Sequence, residues 1–167
     1  MTLDEIFKIT DPTQRIIQLH AACSQGEFSK LSDSEKVVVT VEDFESEVMN
    51  GGFRQYFANY AGDNWEYALR SLEAIGAPKA AALLRDALSV FPNSMPSTNH
   101  EQRASLVDTL ATSEKEKLNS LDQAFAKYEE NLGDLVLAYA ESHRGDFRPL
   151  GTSASKKEGF LARLFGR

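Results

Sequence analysis

The chain has 167 residues, 42% hydrophobic and 26% charged, with ten glycines and five prolines. That mixture suits one packed domain and excludes a disordered or collagenous chain. One cysteine, Cys23, excludes an internal disulfide framework and fits a reducing compartment. Apolar runs stay short, as at Val37-Val38-Val39, and the first seven residues lack the basic flank and apolar core of a secretory signal. The expectation is a soluble, cytoplasmic protein.

The net charge of −7 is unevenly distributed. Residues 1–147 carry 13 bases against 24 acids, and residues 148–167 carry five bases against one acid. An acidic body repels nucleic acid, so direct nucleic-acid binding by the body is disfavoured. A basic protein partner is favoured, through steering of encounter. Acidity also serves solubility alone.

In chain order the pattern is helical. Asp11-Pro12 opens a helix on which Ile16, Leu19, His20 and Cys23 recur. Ser32 and Glu35 form a capping box, after which Val37, Val41, Phe44 and Val48 fall on one stripe. That helix is predicted to end at Asn50-Gly51-Gly52, where glycine can supply a left-handed turn. Asp63 with Glu66 signals the next cap, followed by the apolar face of Trp65, Ala68, Leu69, Leu72 and Ile75. Gly76 stops this helix and Pro78 starts another, carrying Ala80, Leu83, Leu84, Ala87, Leu88 and Phe91. Residues 92–100 read as an internal loop. Thr98 with Glu101 and Ser113 with Glu116 read as two further caps. One last long helix places Leu118, Leu121, Phe125, Tyr128, Leu132, Leu135 and Tyr139 in steps of three and four, kinked at Gly133. Residues 149–159 read as a linker.

The fold class is therefore all-α: a single compact multi-helix domain of about seven helices over residues 1–148, orthogonal or bundle-like. A short basic amphipathic tail lies within residues 149–167.

The stretch Asn50-Gly51-Gly52-Phe53-Arg54-Gln55-Tyr56-Phe57 is the most distinctive. Gly62-Asp63 and Ile75-Gly76-Ala77 follow it. This resembles the DNA-mimic protein (DMP) family of bacterial helical domains, over about residues 31–147. The resemblance implies an all-α, dimeric protein whose acidic surface imitates DNA and occupies the DNA-binding site of a transcription regulator. The matched residues belong to the helical core and not to the charge map, so fold carries over more directly than role.

Candidate sites follow. Glu42, Asp43, Glu45 and Glu47 lie opposite the Val37–Val48 stripe, four carboxylates over about 7.5 Å of helix, a density that locally approaches that of duplex DNA. They are the proposed surface for a basic partner; they are also the polar outer face that any surface helix needs. Asn50, Arg54, Gln55 and Trp65 could border a small groove. The simpler reading of Gly51-Gly52 is a tight corner over a buried Phe53 and Phe57. Asn50, Gln55 and Asn59 would then bond the corner's free backbone groups. Glu129-Glu130 and the Glu114/Glu116 pair, set among lysines, read as solvated helix faces.

His20, His100 and His143 are scattered, and no motif for a nucleophile, a metal or a di-metal bundle is present. No catalytic residue, metal or cofactor is assigned, and the chain reads as non-enzymatic. In the tail, Phe160, Leu161, Arg163, Leu164 and Phe165 would form an amphipathic segment for a partner's groove or an anionic membrane surface. An immunity protein or antitoxin masking a basic toxin is a third possibility that uses the same acidic physics.

Overall fold

A computed structural model describes residues 1–149; the tail residues Phe160, Leu161, Arg163, Leu164 and Phe165 lie outside the described part. Among the described residues there are eight α-helices, four short 3-10 turns and no strand. The helices are α1 (Leu3–Phe7), α2 (Pro12–Cys23), α3 (Asp33–Ala58), α4 (Trp65–Ala74), α5 (Pro78–Leu88), α6 (His100–Asp108), α7 (Thr112–Phe125) and α8 (Leu132–Ser142).

The architecture is organised around α3, which packs against α2, α4, α6, α7 and α8, while α5 bridges α4 and α7. This central position explains the valine run. Val37, Val38, Val39, Thr40 and Val41 are all buried, because the N-terminal half of α3 has neighbours on nearly every side. Further along, Phe44, Phe53, Tyr56, Phe57, Phe91 and Phe125 form the aromatic centre, with edge-on and tilted contacts at 4.7–6.5 Å between ring centroids.

The caps at Asp11 and Ser32/Glu35 form as the sequence predicts. Glu35 is wholly buried, and its Oε2 accepts both the Ser32 N–H and the Arg148 guanidinium, which ties residue 148 back to the start of α3.

Several expectations are corrected. The long helix does not end at Asn50-Gly51-Gly52. Its backbone leaves helical geometry at Gly51 and Gly52 and resumes at once, so the glycines make a kink. Gly52 sits at φ +77°, and a Cβ there would meet the Asp122 carboxylate at 2.3 Å. Asp122 approaches so closely because it accepts the N–H of Phe53, one of the groups freed by the kink, at 2.7 Å.

The predicted last long helix is in fact two, α7 and α8. Tyr128 adopts φ +50°, and Asn131 caps α8 through the Asp134 N–H. An apolar stripe continues across the break because both helices face α3, so periodicity alone could not reveal the turn.

Cap positions also shift: Asn99 caps α6, and the Ala111 N–H donates to Glu114 at the start of α7. Asp63 caps nothing and instead meets Arg103. Glu130, expected on a solvated face, accepts the Lys79 and Ala80 N–H groups at the N-terminus of α5, and Glu129 pairs with Lys79. No helix among the described residues is long and apolar enough to cross a membrane.

Candidate protein-binding surface

At about 100° per residue, positions 45, 42, 46, 43 and 47 follow one another around α3. Ser46 is the exposed centre of that arc, diametrically away from the buried Val41, Phe44 and Val48. Glu42 and Glu45 lie on one flank, Asp43 and Glu47 on the other.

The four carboxylates are not the freely solvated face expected for them. All are half-buried, because α2, the α7–α8 turn and the segment after α3 rise on both sides. Each is also engaged differently. Asp43 Oδ1 receives His20 Nε2 at 2.9 Å. The Tyr128 hydroxyl donates to Glu45. Glu47 Oε2 accepts Gln55 Nε2 at 2.8 Å and Asn59 Nδ2 at 2.9 Å. Glu42 has one carboxylate oxygen out of reach of water and without a hydrogen-bond partner among the described residues. Gln55 and Asn59 thus orient a carboxylate instead of bonding the kink's backbone groups, a role Asp122 takes.

These environments move the protonation equilibria. Burial, reinforced by the neighbouring Glu45, pushes the Glu42 carboxyl up to about 7. Burial also raises Glu45, opposed by the hydroxyl of Tyr128. The bond to Asp43 raises His20 against the opposing effect of burial, so His20 is a hydrogen-bonded, half-buried residue.

No lysine or arginine among the described residues pairs with any of the four carboxylates. Some carboxylates elsewhere do pair, Glu35 with Arg148, Asp63 with Arg103, Glu73 with Arg85 and Glu129 with Lys79.

Two open hollows flank Ser46. The first, about 440 Å³, lies between α2, α3 and the start of α8. Ile16 and Leu137 wall it, and Glu42, Glu45, Tyr128 and Asp134 supply its polar groups. The second, about 300 Å³, is bordered by Asp43, Glu47, Asn59 and Tyr60. The Tyr60 ring is 73% exposed yet held in place by stacking on His100, centroid to centroid 4.0 Å. Ser46 borders both hollows.

The second candidate group separates. Asn50 and Arg54 are exposed, Gln55 turns to Glu47, and Trp65 is buried with its indole N–H donating to the Pro96 carbonyl at 3.1 Å. Trp65 is therefore not available to a surface groove. Cys23 is fully buried, and burial pushes its thiol up to about 12, which leaves it unreactive. His143 closes α8 by stacking on Tyr139 and bonding its carbonyl.

Sequence reasoning missed Ser46, Tyr60 and Asp134 as members of the surface. Their one signal was position: Ser46 sits at the centre of the acidic arc. Tyr60 and Asp134 reach the surface from other elements, which no spacing rule reveals.

The profile of a protein family described as DMP19-like protein matches residues 29–143, which include the whole acidic arc, the kink, the second hollow and the first hollow apart from its α2 side. No curated protein and no solved structure matches the chain.

Proposed function

The chain belongs to the DMP19-like protein family, and from that premise and the geometry of α3 we propose that it is a non-enzymatic protein-binding module. It presents its acidic helical surface to a basic partner. The observation that carries this reading is the arc of Glu42, Asp43, Glu45 and Glu47: three of the four are positioned by hydrogen bonds from other residues, and none pairs with a lysine or arginine among the described residues. Prepositioned charge on a rigid helix attracts a cationic surface without first having to be ordered. The acidic body, 24 acids to 13 bases over residues 1–147, adds long-range steering. The family resemblance implies a DNA-binding regulator as the class of partner, with this surface in the place of DNA.

The test is capture of partners by the tagged chain at low ionic strength, followed by elution with salt and with duplex DNA. The expected complex dissociates steeply as salt rises and competes with DNA. A complex that survives about 0.5 M salt, where the screening length is only roughly 4 Å, overturns the electrostatic reading. A complex that disappears when residues 156–167 are deleted would place binding in the tail instead.

A further inference from the structure

Tyr128 also borders a third hollow, of about 270 Å³, between α5, α7 and the start of α8. Phe125 and Leu132, both buried, form its floor, and Leu83 and the Tyr128 ring wall it. It opens where α5 and α7 contribute the small Ala82 and Ala124. We propose that the chain's own C-terminal segment, residues 156–167, docks here and seats one of its two phenylalanines, Phe160 or Phe165, in the hollow. This goes beyond the acidic-surface reading and does not rest on it.

Three observations carry the proposal. The first is where the chain leaves the described domain. Arg148 donates to the wholly buried Glu35, a carboxylate too costly to leave unpaired, so the root of the segment is held at the start of α3. Glu45, ten residues on and about 15 Å along the helix, accepts the hydroxyl of the same Tyr128 that walls the hollow. The eleven residues 149–159 lead from that root to Phe160. Such a length reaches about 18 Å as a relaxed chain and about 36 Å when extended, enough to pass round the surface.

The second is charge. Residues 148–167 carry five bases against one acid, while residues 1–147 carry 24 acids against 13 bases. The segment is therefore drawn to its own domain, whereas two acidic bodies repel each other. At the hollow itself Glu129 and Glu130 stand against one base, Lys79.

The third is that the hollow is held open in advance. Lys79 pairs with Glu129, and Glu130 accepts the N–H groups of Lys79 and Ala80. Tyr128 is kept at φ +50°, a strained conformation for a tyrosine, with its hydroxyl on Glu45. Walls fixed in this way need little ordering when an apolar side chain enters. The segment offers such side chains: on a helix, Phe160, Leu161, Leu164 and Phe165 share one side.

The experiment uses the full chain with Gly166→Cys carrying a nitroxide spin label. Cys23, fully buried and with its thiol pushed up to about 12, does not take the label. The NMR signals of Ala82, Leu83, Ala124 and Leu132 are expected to be lost before any others. Phe160→Ser with Phe165→Ser should restore them, as should Ala82→Arg at its exposed position, without moving the melting transition. In the chain with both serines, a synthetic peptide of residues 156–167 should shift the same signals. Its dissociation constant should lie below about 1 mM, the local concentration that a short tether provides.

Broadening centred on any other face, signals still lost in the two-serine chain, or peptide binding weaker than about 1 mM overturns the proposal. Broadening in a mixture of spin-labelled and isotope-labelled chains also overturns it, since the occupant would then come from another copy. If the hollow proves empty while the chain still captures a basic protein at low salt, this proposal falls and the acidic-surface reading stands.

Discussion

At the scale of single residues, the buried ionisable groups decide the most. Arg103 is almost wholly buried on α6 and donates to the carbonyls of Phe57, Asn59 and Ser97 at 2.7–2.9 Å, and to Asp63. It thereby satisfies backbone groups at the end of α3 and in the loop before α6. The approach is so close that a Cβ on Gly62 would meet Arg103 Nε at 2.9 Å. Arg103→Leu should cost about 3–5 kcal/mol in chemical denaturation, because it strands several acceptors and a carboxylate at once. Arg103→Lys should recover only part of this, since an ammonium cannot reproduce the planar fork.

Glu42 has the opposite sign. Its folded value of about 7 exceeds the ordinary 4.5, so the folded chain holds the proton more tightly than the unfolded chain. Stability contributed by Glu42 is therefore present at low pH and is lost as pH rises from 4.5 through about 7. The groups facing it are His20 on α2 and Asp43 and Glu45 on α3. Asp134 borders the same hollow from α8. Glu42→Gln should leave stability near pH 4 unchanged and raise it by about 1–2 kcal/mol near pH 8, after allowance for partial exposure; thermal melts at both pH values check this.

At the scale of elements, the kink in α3 is the instructive case. Two glycines in a helix read as a stop, and locally that reading is sound, since Gly52 does adopt φ +77°. The helix continues because Asp122, on α7, takes up the Phe53 N–H that a terminus would otherwise leave to water. Gly52→Ala combines a left-handed φ with a carboxylate in the space its Cβ would occupy, and should destabilise by about 1–3 kcal/mol. Asp122→Ala should cost about 1–3 kcal/mol by leaving the Phe53 N–H unpaired. The two losses should not add, because both act on one contact; a double-mutant cycle measured by denaturation would show the coupling.

The helical class, the starts of α2 and α3 and the apolar faces of α4 and α5 were legible in the sequence, since capping residues, hydrophobic spacing and the Gly76/Pro78 pair report local structure; α1, the continuation of α3 past its glycines and the α7–α8 break were not. Arg103 was not legible. The α6 sequence has no apolar stripe to announce burial, and an arginine is expected outside unless its partners are known.

At the scale of the whole molecule, α3 contacts five other helices and has no free-standing half. The domain should therefore unfold as one unit. Urea transitions followed by Trp65 fluorescence and by helical circular dichroism are expected to coincide, and a separated Trp65 transition would show α4 melting on its own. The charge distribution belongs to this scale as well. An acidic body at −11 over residues 1–147 acts at a distance on any basic partner, while the α3 arc acts only on contact. Salt should therefore slow association more than it speeds dissociation, which stopped-flow mixing with a captured partner would resolve.

What the amino-acid order determined by itself was the class of fold and the membership of the core, because helix periodicity and capping are properties of residues close in the chain. It also placed four carboxylates on one arc, since a helix turns by a constant angle. Only the packed structure decided what those carboxylates are. Tyr128, His20, Gln55 and Asn59 orient three of them, α2 and α8 desolvate Glu42, and Tyr60 and Asp134 complete the hollows. The physical reason is that desolvation and hydrogen-bond partnership depend on atoms brought near by the fold, up to 83 residues away in the case of Tyr128 and Glu45.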